Sequence, residues 1–124
     1  MLYIAFMKRF IKSLGYALNG LRLFFRKEQN GQLQAIVSIL VIAAGFALKI
    51  NLYEWVVILV CIALVLALEM MNSVIEKFID HLHPHRHEQV KWIKDVAAGA
   101  VLWAAIISVV IGVIIFIPKV LAMF

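Results

Sequence analysis

Long apolar stretches separated by short polar ones organise this chain. They cover about 33–50, 53–71 and 96–117, near the 17–25 helical residues that cross a hydrocarbon core. The first is the shortest and draws on its ends at Gln32, Gln34 and Ile50 for length. Strands are excluded, because backbone groups in lipid must pair internally and three strands cannot close a barrel. A different pattern precedes the spans, over about 7–28. At helical periodicity Phe10, Ile11, Leu14, Leu18, Leu21 and Phe25 share one face, and Lys8, Lys12, Arg22 and Arg26 share the opposite one. That is a basic amphipathic helix suited to the membrane interface. Gly15 and Gly20 weaken it, and Gly31 is expected to separate it from the first span. The expected architecture is an all-α membrane protein in one domain, 1–124: an N-terminal interfacial helix followed by three transmembrane helices.

Composition agrees, since 65% of the 124 residues are hydrophobic, more than a soluble fold of this size can hide. The net charge of +5 does not signal nucleic acid, because the basic residues flank apolar spans. Lys8, Arg9, Lys12, Arg22, Arg26 and Lys27 precede the first span, and Lys77, Arg86, Lys91 and Lys94 lie between the second and third. Of the 12 basic residues only Lys49 and Lys119 fall on the other side. The positive-inside rule makes the basic side cytoplasmic and turns the segment at Lys49 to Asn51 outward. No cleavable leader is expected, since no basic residue precedes the apolar start, and Met7 offers an alternative first residue. Cys61, alone in an apolar run, makes neither a disulfide framework nor a metal site.

Chemistry concentrates in Glu69-Met-Met-Asn-Ser-Val-Ile-Glu-Lys-Phe-Ile-Asp80. On a helix Glu69, Asn72, Glu76 and Asp80 fall within about 80° of one another. The stripe begins at membrane depth, straight after the apolar run Trp55 to Leu68, and emerges on the cytoplasmic side. A carboxylate at that depth is costly, so Glu69 is expected to face protein or water and to serve function. Carboxylates that hold Mg²⁺ beside nucleotide phosphates, with a separate one to take a hydroxyl proton, suit phosphoryl transfer. Lys91 and Lys94 on the same side offer charge to phosphates. The spacing alone also admits a small ion-transporting protein, or a non-catalytic membrane subunit whose acids pair with a partner.

Glu69-x-x-Asn72-Ser-x-Ile-Glu76-x-x-x-Asp80, followed by Lys94-Asp95-x-Ala-Ala-Gly-Ala-Val101, resembles the signature of the prokaryotic diacylglycerol kinase family, which includes undecaprenol kinases. The resemblance runs from Gly15-Tyr-Ala-Leu-Asn-Gly-Leu21 and Glu28-Gln-Asn30 into the last span. It implies an enzyme that moves the γ-phosphate of ATP to a membrane lipid hydroxyl, with Mg²⁺, at the cytoplasmic face of the bacterial inner membrane. It implies that Glu69 is the catalytic base and touches the lipid substrate. Glu28 and Glu76 would hold the metal and the nucleotide. Tyr16, Asn72, Asp80, Lys94 and Asp95 match nucleotide-site positions, and Arg9 a lipid-site position. The family forms homotrimers with sites shared between chains. Gly31 and Gln34 depart from a bulkier run that ends in histidine among relatives, and Ser73 replaces a common threonine. Glu28-x-Asn30 is nearer the undecaprenol kinase branch and favours a polyprenol over diacylglycerol.

Other signals add less. Gly15 to Gly20 fails as a phosphate loop, because Leu21 and Arg22 stand where Lys and Ser/Thr are needed. Those glycines, like Ala97, Ala98, Gly99 and Ala100, are expected to allow close helix packing. His81, His83, His85 and His87 are read as a solvated loop, since Pro84 prevents a common helical face. Trp55 and Trp92 fit an interfacial belt, Trp103 is expected between helices, and Lys94-Asp95 is expected on a short loop.

Overall fold

The structure is a computed structural model that describes residues 1–85 and 87–124. Arg86, one of the basic residues counted toward orientation, lies outside the described residues. Four helices follow one another: α1 (Leu2–Lys27), α2 (Gln29–Ala47), α3 (Leu52–Leu82) and α4 (Glu88–Leu121). No strand occurs among the described residues. The last three helices are long and apolar enough to cross a membrane.

The helices outrun the apolar stretches. Residues 2–6 hold no helix breaker, so α1 begins at Leu2 and not at Met7. α3 continues to Leu82, because its polar end contains neither Gly nor Pro. It stops where Pro84 disfavours helix at the residue before it, and His83 is accordingly extended (φ −134°, ψ 80°). With 31 residues α3 is about 46 Å long, longer than a hydrocarbon core of about 30 Å.

The break between α1 and α2 falls at Glu28, not at Gly31. Glu28 is extended (φ −95°, ψ 123°) and ends one helix while starting the next. Gly31 lies inside α2, where it lets the Phe24 ring approach: a Cβ there would stand 2.8 Å from Phe24 Cε2. The α2–α3 turn also relies on a close approach. Lys49 takes a left-handed conformation (φ 54°), its N–H donates to Phe46 O, and the Ile50 N–H donates to Gly45 O at 3.2 Å. A Cβ on Gly45 would meet Trp55 Cη2 at 2.7 Å. Asn51 then caps α3: its Oδ1 accepts from the Glu54 N–H, and Glu54 Oε1 accepts from the Asn51 N–H. Glu54 also binds Lys119 at 3.0 Å, which ties the start of α3 to the end of α4.

Ile50, Ile58 and Ile115 form the buried cluster at this outer end, with Trp55 and Phe116 packed against it. Elsewhere large apolar side chains face outward, as membrane helices require. Trp103 is one of them: it is 70% exposed and does not pack between helices, because Val101 and Ala104 take the inward positions. Within the chain Gly15, Gly20 and Gly99 meet nothing within 4 Å of a Cβ, so they allow no close packing here.

Candidate active site

The polar end of α3 carries the candidate chemistry. Glu69 and Asn72 are each only 7% exposed, and one and two turns further on Glu76 and Asp80 reach solvent. Helical spacing produces this gradient, since one stripe runs from protein interior to exposed surface. The Glu69 side chain lies close to Gln34 of α2, and Glu76 follows two turns on along the same helix. Asn72 Nδ2 donates to Glu76 Oε1 at 3.4 Å, a long bond, while Asn72 Oδ1 is buried without a partner among the described residues. An unpaired buried acceptor in an otherwise satisfied chain marks a place where a ligand can supply the donor.

Two lysines cross between elements. Lys77 Nζ lies 2.6 Å from Glu28 Oε1, joining α3 to the α1–α2 break. Lys94 bonds Asp80, joining α4 to α3. Lys91 Nζ lies 2.6 Å from Asp95 Oδ2, and that bond raises the Lys91 pKa above its ordinary value. Lys94 and Asp95 sit in the first turns of α4, not on a loop, because His87 Nδ1 accepts from the Gln89 N–H and starts the helix early. A polar cavity of about 310 Å³ lies here among Asp80, His83, His85, His87, Lys94 and Asp95. No group of three His, Cys, Asp or Glu side chains that could hold a metal occurs among the described residues.

A second recess, about 720 Å³, separates α1 from α3 and is lined by Gly20, Phe24, Glu28, Ser73 and Lys77 among others. It is apolar along α1 and charged at the Glu28 end. Arg9 and Tyr16 stand exposed on α1, two turns apart on one face. No ion pair or side-chain hydrogen bond joins them to the stripe among the described residues.

The fold thus gathers Glu69, Asn72 and Glu76 with Gln34, sets Asp80 against Lys94, and holds Glu28 through Lys77. Gln34 and Lys77 escaped the sequence reading as site residues. Gln34 counted as a span end and as a departure from the run seen among relatives, although an amide at the edge of an apolar run is the same signal that singles out Glu69. Lys77 counted only as a topological charge, although it follows Glu76 directly.

The prokaryotic diacylglycerol kinase family matches residues 15–116. An undecaprenol kinase of Bacillus subtilis is 37% identical over 113 residues, covering 91% of this chain and 92% of its own length. A diacylglycerol kinase of Synechocystis is 32% identical over 90% of this chain and 64% of its own length. A diacylglycerol kinase of Escherichia coli is 29% identical over 82% of this chain and 84% of its own.

Proposed function

The chain belongs to the prokaryotic diacylglycerol kinase family, and from that membership we propose that it phosphorylates a membrane lipid alcohol with ATP as donor. The observation that carries the reading is the burial of Glu69 at the end of an apolar run, with Asn72 and Glu76 directly beyond it. A lipid hydroxyl reaches that depth while its tail stays in the bilayer, and a nucleotide reaches the exposed end from water. The Glu69 carboxylate takes the hydroxyl proton as the lipid oxygen bonds to the γ-phosphorus. The bond from that phosphorus to the bridging oxygen breaks, and ADP leaves. Asn72 holds Glu76 in place. Lys94 and Asp95 flank the nucleotide, with Asp80 and Tyr16 beside it, and Arg9 meets the lipid head group.

The donor set fits Mg²⁺. Glu28 and Glu76 offer carboxylate oxygens only, which this ion prefers, and a cationic ammonium already sits on Glu28. When bound, the ion neutralises charge on the β- and γ-phosphates. Two carboxylates suffice, because phosphates and water complete its shell.

The site lies at the cytoplasmic face of the bacterial inner membrane, and neighbouring chains of a homotrimer share it. An ion path is disfavoured: between Glu54 and Glu69, α3 offers only apolar side chains and Cys61. The similarity to an undecaprenol kinase and the Glu28-x-Asn30 pattern favour a polyprenol substrate.

The test is direct. Purified protein is incubated with γ-labelled ATP, Mg²⁺ and a panel of lipid alcohols. Label is expected in undecaprenol above diacylglycerol. Label in no lipid overturns the reading, and preference for diacylglycerol overturns the substrate choice.

A further inference from the structure

We propose that Lys77 is a built-in counter-cation of the metal site, resting on Glu28 until a divalent ion displaces it and so setting how much metal the site requires. The inference rests on the assignment of Glu28 to the metal made above.

Glu28 is the extended residue between two helices, and its side chain is only 26% exposed. Its carboxylate is therefore held by the fold. Lys77 meets it at 2.6 Å with a side chain that is 70% exposed, so only the tip of a long stem is engaged. An ammonium is a compact point charge without a fixed fork, and it takes the lone pairs that a divalent cation needs. Lys94 is committed to Asp80 and Lys91 to Asp95, whereas Lys27, which lines the same recess, makes no ion pair among the described residues. Glu76 receives the Asn72 amide. The site thus holds one carboxylate already charge-paired and one that is not. A divalent ion binds Glu76 without competition but must remove an ammonium to gain Glu28.

Its greater charge and shorter reach, about 2.0–2.1 Å to oxygen for Mg²⁺, let it win once nucleotide phosphates add their ligands. Without a nucleotide the lysine keeps Glu28 neutralised. This limits like-charge repulsion at the membrane boundary. A partly exposed pair is weak, so the barrier to displacement is modest and the exchange is readily reversed.

Mn²⁺ serves as the probe, and free Mn²⁺ is counted by electron paramagnetic resonance. The full chain is held in lipid nanodiscs with a saturating non-hydrolysable ATP analogue. Lys77→Gln is expected to bind Mn²⁺ about two- to fivefold more tightly than the parent, the range of an exposed ion pair. Lys77→Arg, which keeps the pair, is expected to restore parental affinity. Glu28→Gln is expected to weaken binding, and adding Lys77→Gln to it to change nothing further. If Glu28→Gln weakens binding but Lys77→Gln does not tighten it, the lysine's role is overturned and the metal assignment stands. If Lys77→Gln weakens Mn²⁺ binding, the lysine serves the phosphates and the proposal is overturned. If Mn²⁺ binding ignores Glu28→Gln, both are overturned.

Discussion

Lys94, in the second turn of α4, closes an ion pair onto Asp80 near the end of α3. The pair spans the loop between those helices and holds their two polar ends together beside the polar cavity. Its side chains are 34% and 63% exposed, so screening by water keeps its stability contribution to at most about 1 kcal/mol. Asp80→Asn is therefore expected to leave thermal unfolding nearly unchanged while raising KM for ATP about tenfold, the loss of one charged hydrogen bond. Nucleotide titration beside a melting curve checks this. A large fall in melting temperature with an unchanged KM would make the pair structural.

Glu69→Gln keeps the shape of the buried side chain and removes its basicity. Turnover is expected to fall by about 10²–10⁴, the usual contribution of a general base, with nucleotide affinity preserved. Single-turnover kinetics and equilibrium binding of an ATP analogue separate the two. Parental turnover in this variant would remove Glu69 from its role.

Glu28→Gln and Glu76→Gln each delete one carboxylate from the oxygen donor set. Both are expected to shift the Mg²⁺ midpoint of activity upward about tenfold or more, with recovery at high metal. A Mg²⁺ titration of each variant provides the check, and an unshifted midpoint would count against the metal assignment.

Gly45→Ala tests the outer turn. The added Cβ meets the rigid Trp55 ring at 2.7 Å, so the cost is expected to be about 1–3 kcal/mol. Denaturation in detergent micelles measures it. Glu54→Ala removes the Glu54 half of the capping box and the Lys119 bond while the Asn51 cap stays, and a small loss of stability is expected. Because these residues lie far from Glu69, activity per folded molecule should change little in either variant.

The four helices and the polar stripe were legible because both follow from periodicity. Glu69, Asn72 and Glu76 share a face at any helical pitch, and an apolar run of about twenty residues in lipid has no alternative to a helix. Helix ends were less legible. Gly31 looked like a breaker, yet its missing Cβ is used to seat Phe24, and the chain turns instead at Glu28. Lys94 and Asp95 looked like loop residues, because the helix start at His87 depends on a side-chain bond that composition does not reveal. Trp103 looked inward because it lies deeper in its span than Trp55 and Trp92 do in theirs, but orientation on α4 is decided by Val101 and Ala104. Contacts between distant segments, Gln34 with Glu69 and Lys77 with Glu28, required the tertiary arrangement itself.

α3 is one uninterrupted rod, and that gives it the character of a ruler. Its outer end is pinned at Asn51, Glu54 and Lys119, and Glu69 stands about 22 Å further along the axis. The Glu69 carboxylate therefore keeps a set distance from that pinned end, and in the proposed role its depth is measured from one bilayer surface, whatever the lipids do at the other. Lengthening the acyl chains of the host membrane lifts the opposite head groups away from it, and shortening them brings water closer. Turnover should pass through an optimum as membrane thickness is varied.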